Sequence, residues 1–250
     1  MKKVEERVKD YWTLRASDFG AVRRAELEDE ISRRWVLEME KALPAGKTLK
    51  ILDVGTGAGY FAILLAEMGH KVCGVDLTPA MIEEAKKLAG DNEAIQFFVM
   101  DAQSLDFSDE CFDAVISRNL TWTLPKPEQA YKEWIRVLKK GGILLNFDAD
   151  YAYEVLKDRQ DPSGIERDCS GMHLGMTETL QRESDEITLS MDISKNRRPD
   201  WDLNVLKRLG LNRCSCDRTA GERILKDRNG KEAPMFLITA IKEGDLHESV

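Results

Sequence analysis

The chain has 250 residues, of which 42% are hydrophobic and 33% charged, a composition typical of a soluble globular protein with one large α/β domain. Its formal net charge of −8 disfavours a nucleic-acid partner, because proteins that bind the phosphate backbone usually carry excess positive charge. No apolar stretch approaches the roughly 20 residues that span a bilayer, and the charged N-terminal sequence does not resemble a secretory signal. We therefore expect a cytoplasmic protein with neither a membrane nor a nucleic-acid partner, and the oligomeric state stays open.

Residues 1–47 predict an N-terminal helical segment with one apolar stripe along a charged sequence. The basic pairs Arg23-Arg24 and Arg33-Arg34 lie among acids, which indicates a solvated helix face. The stripe consists of residues at four-residue steps: Leu27, Ile31, Trp35 and Met39.

Residues 48–149 alternate between short apolar runs and amphipathic stretches. The runs LKILDVG, KVCGVD, AIQFFVMD, CFDAVISR and ILLNFDAD predict five strands, and their density is typical of strands buried on both faces. The stretches between them predict helices, among them 127–142 with Lys139 and Lys140 in its last turn. This alternation predicts a doubly wound, mostly parallel sheet with helices on both faces, which we interpret as a cofactor-binding core.

Residues 150–200 interrupt that alternation with a turn-rich sequence that has room for a short strand within 185–199. Some 50 residues are too many for an idle connection, so we interpret the segment as a cap insertion over the ligand crevice. Residues 201–250 then predict a helix and two closing strands of the same domain, a hairpin-like pair joined by KDRNGK, which brings the sheet to seven strands.

The cysteines and histidines do not suggest a metal site. The five cysteines form no CxxC pair, and Cys214-x-Cys216 has no second cluster of matching spacing. We expect unpaired thiols in a reducing compartment.

A glycine-rich turn, Gly55-Thr56-Gly57-Ala58-Gly59, directly follows the first predicted strand. In open α/β sheets, ligands bind at the carboxyl ends of the strands near the point where the strand order reverses. The spacing is GxGxG, whereas the dinucleotide fingerprint is GxGxxG, and no Gly-Lys-Ser/Thr of a P-loop follows.

Two acids end the next two strands. Asp76 lies 21 residues after Gly55 (76 − 55), where a carboxylate can accept hydrogen bonds from both ribose hydroxyls of a nucleoside. Asp101 ends the third strand, where its carboxylate can accept from an adenine amino group while the Ala102 N–H donates to a ring nitrogen. The three strand ends together predict an adenosine site without a phosphate cradle.

With these motifs, the chain resembles the class I S-adenosylmethionine-dependent methyltransferases over about residues 48–148. The matching segments are ILDVGTGAGYFAILLAEMGHKVCGVDLTPAMIEEAKK, FFVMDAQSLDFSDECFDAVISRNL and VLKKGGILLNFD. The resemblance implies S-adenosylmethionine as cofactor and S-adenosylhomocysteine as product. The cofactor-binding residues that it implies in this core are Asp53, Gly55, Thr56, Gly57, Gly59, Asp76, Leu77, Met81, Asp101, Ala102, Gln103, Ser117, Arg118 and Asn119.

Within this set, the methionine portion is implied to lie against Asp53, the turn after strand one and the residues after strand four. Asp76 is implied to bind the ribose. The residues after strand three are implied to contact the adenine edge. Leu77 and Met81 are implied to pack near adenine, although they could be core residues, and Asp53 could only cap backbone amides. Because related enzymes often close the pocket with an N-terminal helix, we also assign Tyr11 near the sulfonium and Arg15 near the cofactor carboxylate; a packing stripe is the alternative.

The expected reaction is an in-line displacement that moves a methyl group to a small-molecule acceptor. Such a cofactor carries the activation, so the protein supplies proximity and alignment, and the sequence identifies no catalytic residue. The segment SRNLTWTL lacks the Asn/Asp-Pro-Pro-aromatic motif of amino-group DNA methyltransferases. Candidate substrate contacts after strands four and five and in the cap are Asn119, Trp122, Asp148, Asp150, Tyr151, His173, Arg197, Arg198 and Trp201.

Two other functions stay open. The chain could be a non-catalytic protein that binds S-adenosylmethionine or S-adenosylhomocysteine, or another nucleotide-cofactor enzyme on the same fold, such as a nicotinamide oxidoreductase or an aminopropyl transferase. Arg198 could also be structural, paired with Asp200 or Asp202 beside a buried Trp201, and His173 a surface or packing residue.

Overall fold

A seven-stranded sheet organises the computed structural model, which describes residues 3–160, 174–225 and 235–244. The strand order is β3-β2-β1-β4-β5-β7-β6; the first five strands are parallel, and β7 is antiparallel to both of its neighbours. The predicted doubly wound, mostly parallel fold is therefore confirmed. The strands are β1 Lys50–Val54, β2 Lys71–Asp76, β3 Ile95–Val99, β4 Phe112–Arg118, β5 Leu138–Ala149, β6 Arg213–Asp217 and β7 Met235–Ile241.

Helices cover both faces of the sheet, and each face has its own hydrophobic core. One core joins the sheet to α2, α3 and α9, and the other joins it to α5 and α8. None of the helices described is both long enough and apolar enough to cross a membrane. The helices are α1 Val4–Leu27, α2 Glu30–Ala42, α3 Tyr60–Glu67, α4 Pro79–Ala89, α5 Pro127–Val137, α6 Tyr151–Gln160, α7 Glu178–Ser190, α8 Asp200–Arg208 and α9 Ala220–Leu225.

The N-terminal helical prediction is confirmed, but the stripe spans two helices rather than one. α1 ends at Leu27, and Asp29 caps α2 by accepting a hydrogen bond from the Ile31 N–H at 2.9 Å. Trp35 and Met39 on α2 are fully buried in the core that α2 shares with α3. The stripe therefore anchors α2, and Leu27 at the end of α1 packs against the same core.

Two predicted elements differ from the structure. The helix expected over 127–142 ends at Val137, and Lys139 and Lys140 lie in β5, because Leu138 already pairs with Phe112 of β4; Gly141 (φ +76) lies inside this strand and does not cap the helix. The short strand expected within 185–199 is also wrong, since residues 178–190 form α7 with Thr177 as its N-cap. The closing strands do pair as predicted, although α9 lies between them and the expected KDRNGK turn lies outside the described residues.

A third, smaller hydrophobic core joins α1 to the segment between β5 and α8. Val8 and Tyr11 of α1 pack against Ile187 of α7 and two residues that follow it. Arg7 adds a bidentate pair with Glu183, with N–O distances of 2.9 Å. The N-terminal helix and α7 therefore pack together as one covering layer.

Candidate cofactor site at the carboxyl edge of the sheet

The carboxyl ends of four parallel strands meet at one edge of the sheet. The register pairs Val54 with Val75 on one side and with Ser117 on the other, so the glycine-rich turn lies between the end of β2 and the end of β4. Strand order reverses here, since β2 and β3 extend to one side of β1 and β4 and β5 to the other. In such sheets this reversal is where ligands bind.

The glycine-rich turn has a backbone that side chains would obstruct. Gly55, Gly57 and Gly59 have φ of +68°, +53° and +83°, the left-handed region that glycine adopts without strain. A Cβ added at Gly55 would lie 2.6 Å from Leu120, and one added at Gly57 would lie 3.2 Å from the Phe19 ring. The turn is therefore a bare backbone cradle, closed over by residues of α1 and of the loop after β4.

Asp53 lies beneath this turn and is almost fully buried. Its Oδ2 accepts a hydrogen bond from the Thr56 hydroxyl at 2.6 Å, which fixes the turn to β1. Burial raises the pKa of Asp53 from near 4 to about 7, with the Thr56 hydrogen bond opposing the shift. The Thr56 partner is a side-chain hydroxyl, so both predicted roles of Asp53, facing the methionine portion and capping backbone amides, stay predictions; the neighbouring Asp76 charge adds to the rise of its pKa.

We expect the pKa of Asp53 to set a stability slope between about pH 4 and pH 7. The folded state holds this proton more tightly than the unfolded state, so the free energy of unfolding falls as pH rises through that window. Urea unfolding at several pH values should show this decline in the wild type and a flatter profile in Asp53→Asn.

Asp217 provides the control of opposite sign. Its hydrogen bond from Arg223 lowers its pKa to about 2, so Asp217→Asn should alter the profile only as pH falls from about 4 to 2. A wild-type profile without a decline between pH 4 and 7 would contradict the assignment of a protonated Asp53.

Asp76 ties the end of β2 to the glycine-rich turn. Its two carboxylate oxygens accept from the Gly57 N–H at 3.0 Å and the Thr78 N–H at 2.9 Å, and burial raises its pKa. Thr78 itself makes no side-chain cap, although α4 begins at Pro79 as predicted. A carboxylate offers about four acceptor sites, so Asp76 can accept a further hydrogen bond from a ligand hydroxyl beside these partners.

The end of β3 presents a short polar loop. Asp101 Oδ1 accepts from the Gln103 N–H at 2.8 Å, and the Gln103 side chain accepts from the Lys126 N–H at 2.7 Å. The Ala102 carbonyl accepts from Trp134 Nε1 at 3.0 Å, which ties the loop to α5. Met81 on α4 is buried and Leu77 half-buried, so their two readings, beside a ligand or in the core, both stay open.

The end of β4 has a buried, hydrogen-bonded serine, followed by two residues that each have one buried polar atom without a hydrogen-bond partner. Ser117 donates to Asn146 Oδ1 at 2.8 Å and is fully buried. Arg118 Nε and Asn119 Oδ1 are buried without a hydrogen-bond partner among the described residues. Buried polar groups are usually satisfied, so these two atoms indicate a missing partner, such as a bound ligand.

Sequence reasoning missed two residues here, Arg23 and Glu26 of α1. Arg23 was expected on a solvated face, but its side chain is only 12% exposed, pairs with Glu26 and lies 4.4 Å over the Phe19 ring. Arg118 approaches the same Glu26 at 3.7 Å and lies over Trp35 and Tyr60 at 4.4 and 5.2 Å. The expectation for Arg23 is therefore wrong, whereas Arg24 is exposed as predicted.

This aromatic-lined cluster carries excess positive charge, with two guanidinium groups and one carboxylate. Burial and the neighbouring Arg118 lower the pKa of Arg23 to about 10. Two cations held this close in an apolar setting favour an added anion. No sequence pattern marks the cluster, although Arg23 and Glu26 stand three residues apart on one helix, a spacing that predicts contact.

Tyr11 and Arg15 lie on the side of α1 that faces α7. Tyr11 packs in the third hydrophobic core, and Arg15 Nη1 donates to the Leu174 carbonyl at 2.6 Å with Asp18 at 3.6 Å. These are contacts within the protein, and the roles of Tyr11 near the sulfonium and of Arg15 near the cofactor carboxylate stay predictions.

The candidate substrate residues after β4 and β5 fall into two groups. Trp122 and Tyr151 are half-buried with ring centroids 4.9 Å apart. Asp148 and Arg198 are instead buried and paired with each other at 3.1 Å, and Arg198 also pairs with Asp202. The predicted pairing of Arg198 with Asp202 is confirmed; Trp201 is half-buried, and His173 lies outside the described residues.

A polar cavity of about 190 Å³ lies beyond β5, near the ends of β6 and β7. Arg197 lies over the Tyr153 ring at 3.8 Å and is 3.8 Å from Asp150. The cavity is lined by Asp150, Tyr153, Glu154, Arg197, Arg198, Pro199, Arg218 and Phe236. It does not include the glycine-rich turn.

Comparison with known proteins decides the family of this core. A family model described as a methyltransferase domain matches residues 52–146, from β1 to β5. Those residues are a methyltransferase domain. The expected resemblance to the class I S-adenosylmethionine-dependent methyltransferases is thereby confirmed.

Curated relatives of the methyltransferase domain match only part of their own lengths. YqeM of Bacillus subtilis, named as a methyltransferase, is 32% identical over 139 residues, 54% of this chain and 55% of the relative. The 2-methyl-6-phytyl-1,4-hydroquinone methyltransferase of Synechocystis is 36% identical over 121 residues, 48% of this chain and 36% of the relative. The chain thus spans about half or less of these proteins.

Solved structures extend the likeness of fold beyond the methyltransferase domain. Phosphoethanolamine N-methyltransferase 2 of Haemonchus contortus, in complex with phosphomonomethylethanolamine and S-adenosylhomocysteine, aligns with a TM-score of 0.63 at 16% identity. The alignment covers 95% of this chain and 60% of that structure. At this identity the likeness shows the fold alone.

Proposed function

We propose that this protein binds S-adenosylmethionine at the glycine-rich turn and moves its methyl group to a small-molecule acceptor. The observation that carries the proposal is the bare Gly55–Gly59 cradle beside the Asp76 carboxylate, within a methyltransferase domain. The residues present fit the cofactor, since the turn has glycine at three of its five positions beside the Asp76 carboxylate, and Arg118 Nε at the end of β4 is buried without a hydrogen-bond partner among the described residues.

Different residues then bind different parts of the cofactor. Asp76 accepts from the ribose hydroxyls, and Asp101 with the Ala102 N–H addresses the adenine edge. Arg23 and Arg118 hold the methionine carboxylate, because their cluster has one cation in excess. The bound cofactor supplies an activated methyl group, so the protein's part is to align the acceptor and exclude water.

A calorimetric titration with S-adenosylmethionine, S-adenosylhomocysteine and NADH tests the proposal. The first two should bind, and Asp76→Ala should weaken them at least about tenfold, because a carboxylate that accepts from two hydroxyls contributes on the order of 1.5–3 kcal/mol per charged hydrogen bond. Asp91→Ala, an exposed acid after α4, is the matched control and should leave both affinities unchanged.

The proposal would be contradicted if NADH bound and S-adenosylmethionine and S-adenosylhomocysteine did not, or if none of the three ligands bound. Binding of the cofactor with no transfer of a labelled methyl group to a broad panel of small molecules would instead favour a non-catalytic binding protein. The negative net charge favours a small acceptor over a nucleic acid.

A further inference from the structure

We propose that Asn119 selects acceptors that carry an N–H or O–H donor, and that Trp122 and Tyr151 hold the flat ring to which this donor is attached. The inference rests on the proposed function, because it names the acceptor of the same site. It starts from the buried Asn119 Oδ1, which has no partner among the described residues.

The backbone of Asn119 is held in an unusual conformation. Its φ is +52°, a region that residues other than glycine rarely adopt, and asparagine is among the few that tolerate it. The Asn119 N–H donates to the Phe147 carbonyl at 2.7 Å, and its carbonyl accepts from Trp122 Nε1 at 2.9 Å. Backbone strain of this kind persists where the surroundings enforce it, often at functional sites.

The rest of the loop fixes where the amide lies. Leu120 packs on Gly55, which places the loop against the cofactor cradle. Thr121 donates its N–H to Asp148 at 3.1 Å, and its hydroxyl also contacts Asp148 and accepts from Arg198. Asn119 is therefore anchored between the cradle and the Trp122–Tyr151 ring pair.

A donor on the acceptor would satisfy the Asn119 oxygen. An amide oxygen only accepts hydrogen bonds, so it discriminates in favour of N–H or O–H and against an ether or a bare ring. A site built to bond such a group rejects analogues that lack it, because the buried polar atom is then left unpaired. The Trp122–Tyr151 pair offers apolar area for a ring but no such discrimination.

The test uses three small probes of similar shape: phenol, aniline and anisole. Their affinities are measured by ligand-observed NMR on the full chain saturated with S-adenosylhomocysteine. We expect the wild type to bind phenol, aniline or both about tenfold more tightly than anisole, and the stronger of the two identifies an O–H or an N–H acceptor. Trp122→Leu should weaken all three probes together.

Two variants at Asn119 isolate its side chain. Asn119→Gly removes the amide while accepting the positive φ, and it should bind all three probes equally; Asn119→Asp keeps an acceptor oxygen and should retain the preference. Glu110→Gly, at an exposed residue with φ of +53°, controls for an added glycine and should behave as the wild type.

Three results would overturn the inference. They are equal binding of the three probes to the wild type, no binding of any probe, and a probe preference that survives in Asn119→Gly. An Asn119→Gly variant that loses S-adenosylhomocysteine affinity and keeps the probe preference would assign the oxygen to the cofactor instead. Failure of S-adenosylhomocysteine to bind the wild type is measured separately and counts against the proposed function.

Discussion

An Arg198→Met variant is expected to unfold with about 3–5 kcal/mol less free energy than the wild type, the cost of leaving buried carboxylates without their counter-ion. Arg198 is 6% exposed and pairs with Asp148 at 3.1 Å and with Asp202 at 2.8 Å. Asp202 in turn accepts from the Tyr131 hydroxyl, which accepts from Asn146. Urea unfolding at pH 7, followed by circular dichroism, measures the loss.

The neighbouring Arg197 is the matched control. Its side chain is 65% exposed, with its carboxylate partner 3.8 Å away, so Arg197→Met should change the free energy of unfolding by less than about 1 kcal/mol. Equal effects of the two substitutions would contradict the view that the Arg198 network holds β4, β5 and α8 together.

An Arg23→Gln variant is expected to bind S-adenosylhomocysteine about 10- to 100-fold more weakly than the wild type, because a charge-assisted hydrogen bond contributes about 1.5–3 kcal/mol. The reason is the buried cluster in which Arg23 and Arg118 share one carboxylate, Glu26. 5′-Methylthioadenosine, which lacks the amino-acid portion, should bind the variant and the wild type equally. Calorimetry with both ligands gives the comparison.

Arg24→Gln, an exposed change one residue away, should leave both affinities unchanged. If Arg23→Gln weakened 5′-methylthioadenosine as strongly as S-adenosylhomocysteine, Arg23 would support the fold of the site rather than the carboxylate. If it weakened neither, the cluster would not bind the cofactor.

The sheet and its nucleotide-facing edge could be predicted because local sequence determines them. Dense apolar runs such as ILDV identify strands buried on both faces, and glycine at positive φ identifies the turn. Asp76 and Asp101 could be placed because parallel strands end at one edge of a sheet.

The other parts depend on contacts between distant residues. The sequence predicts Arg23 to be a surface residue of a charged helix. Only the packing of α1 across the turn buries its side chain beside Arg118. Asp148 was expected to face the crevice after the fifth predicted strand, whereas it lies within β5 and its carboxylate pairs with Arg198, 50 residues on. The early start of β5 reflects the pairing of Leu138 with Phe112 and the backbone hydrogen bonds of Gly141 and Gly142 with Lys242, which override the helical pattern of residues 138–142.

A crystal structure of the full chain with S-adenosylhomocysteine tests the account most directly. It should place the ribose hydroxyls on Asp76, the adenine edge at Asp101 and Ala102, and the carboxylate between Arg23 and Arg118. Ligand density away from the glycine-rich turn, or a carboxylate bound by Arg15 in place of Arg23 and Arg118, would contradict it.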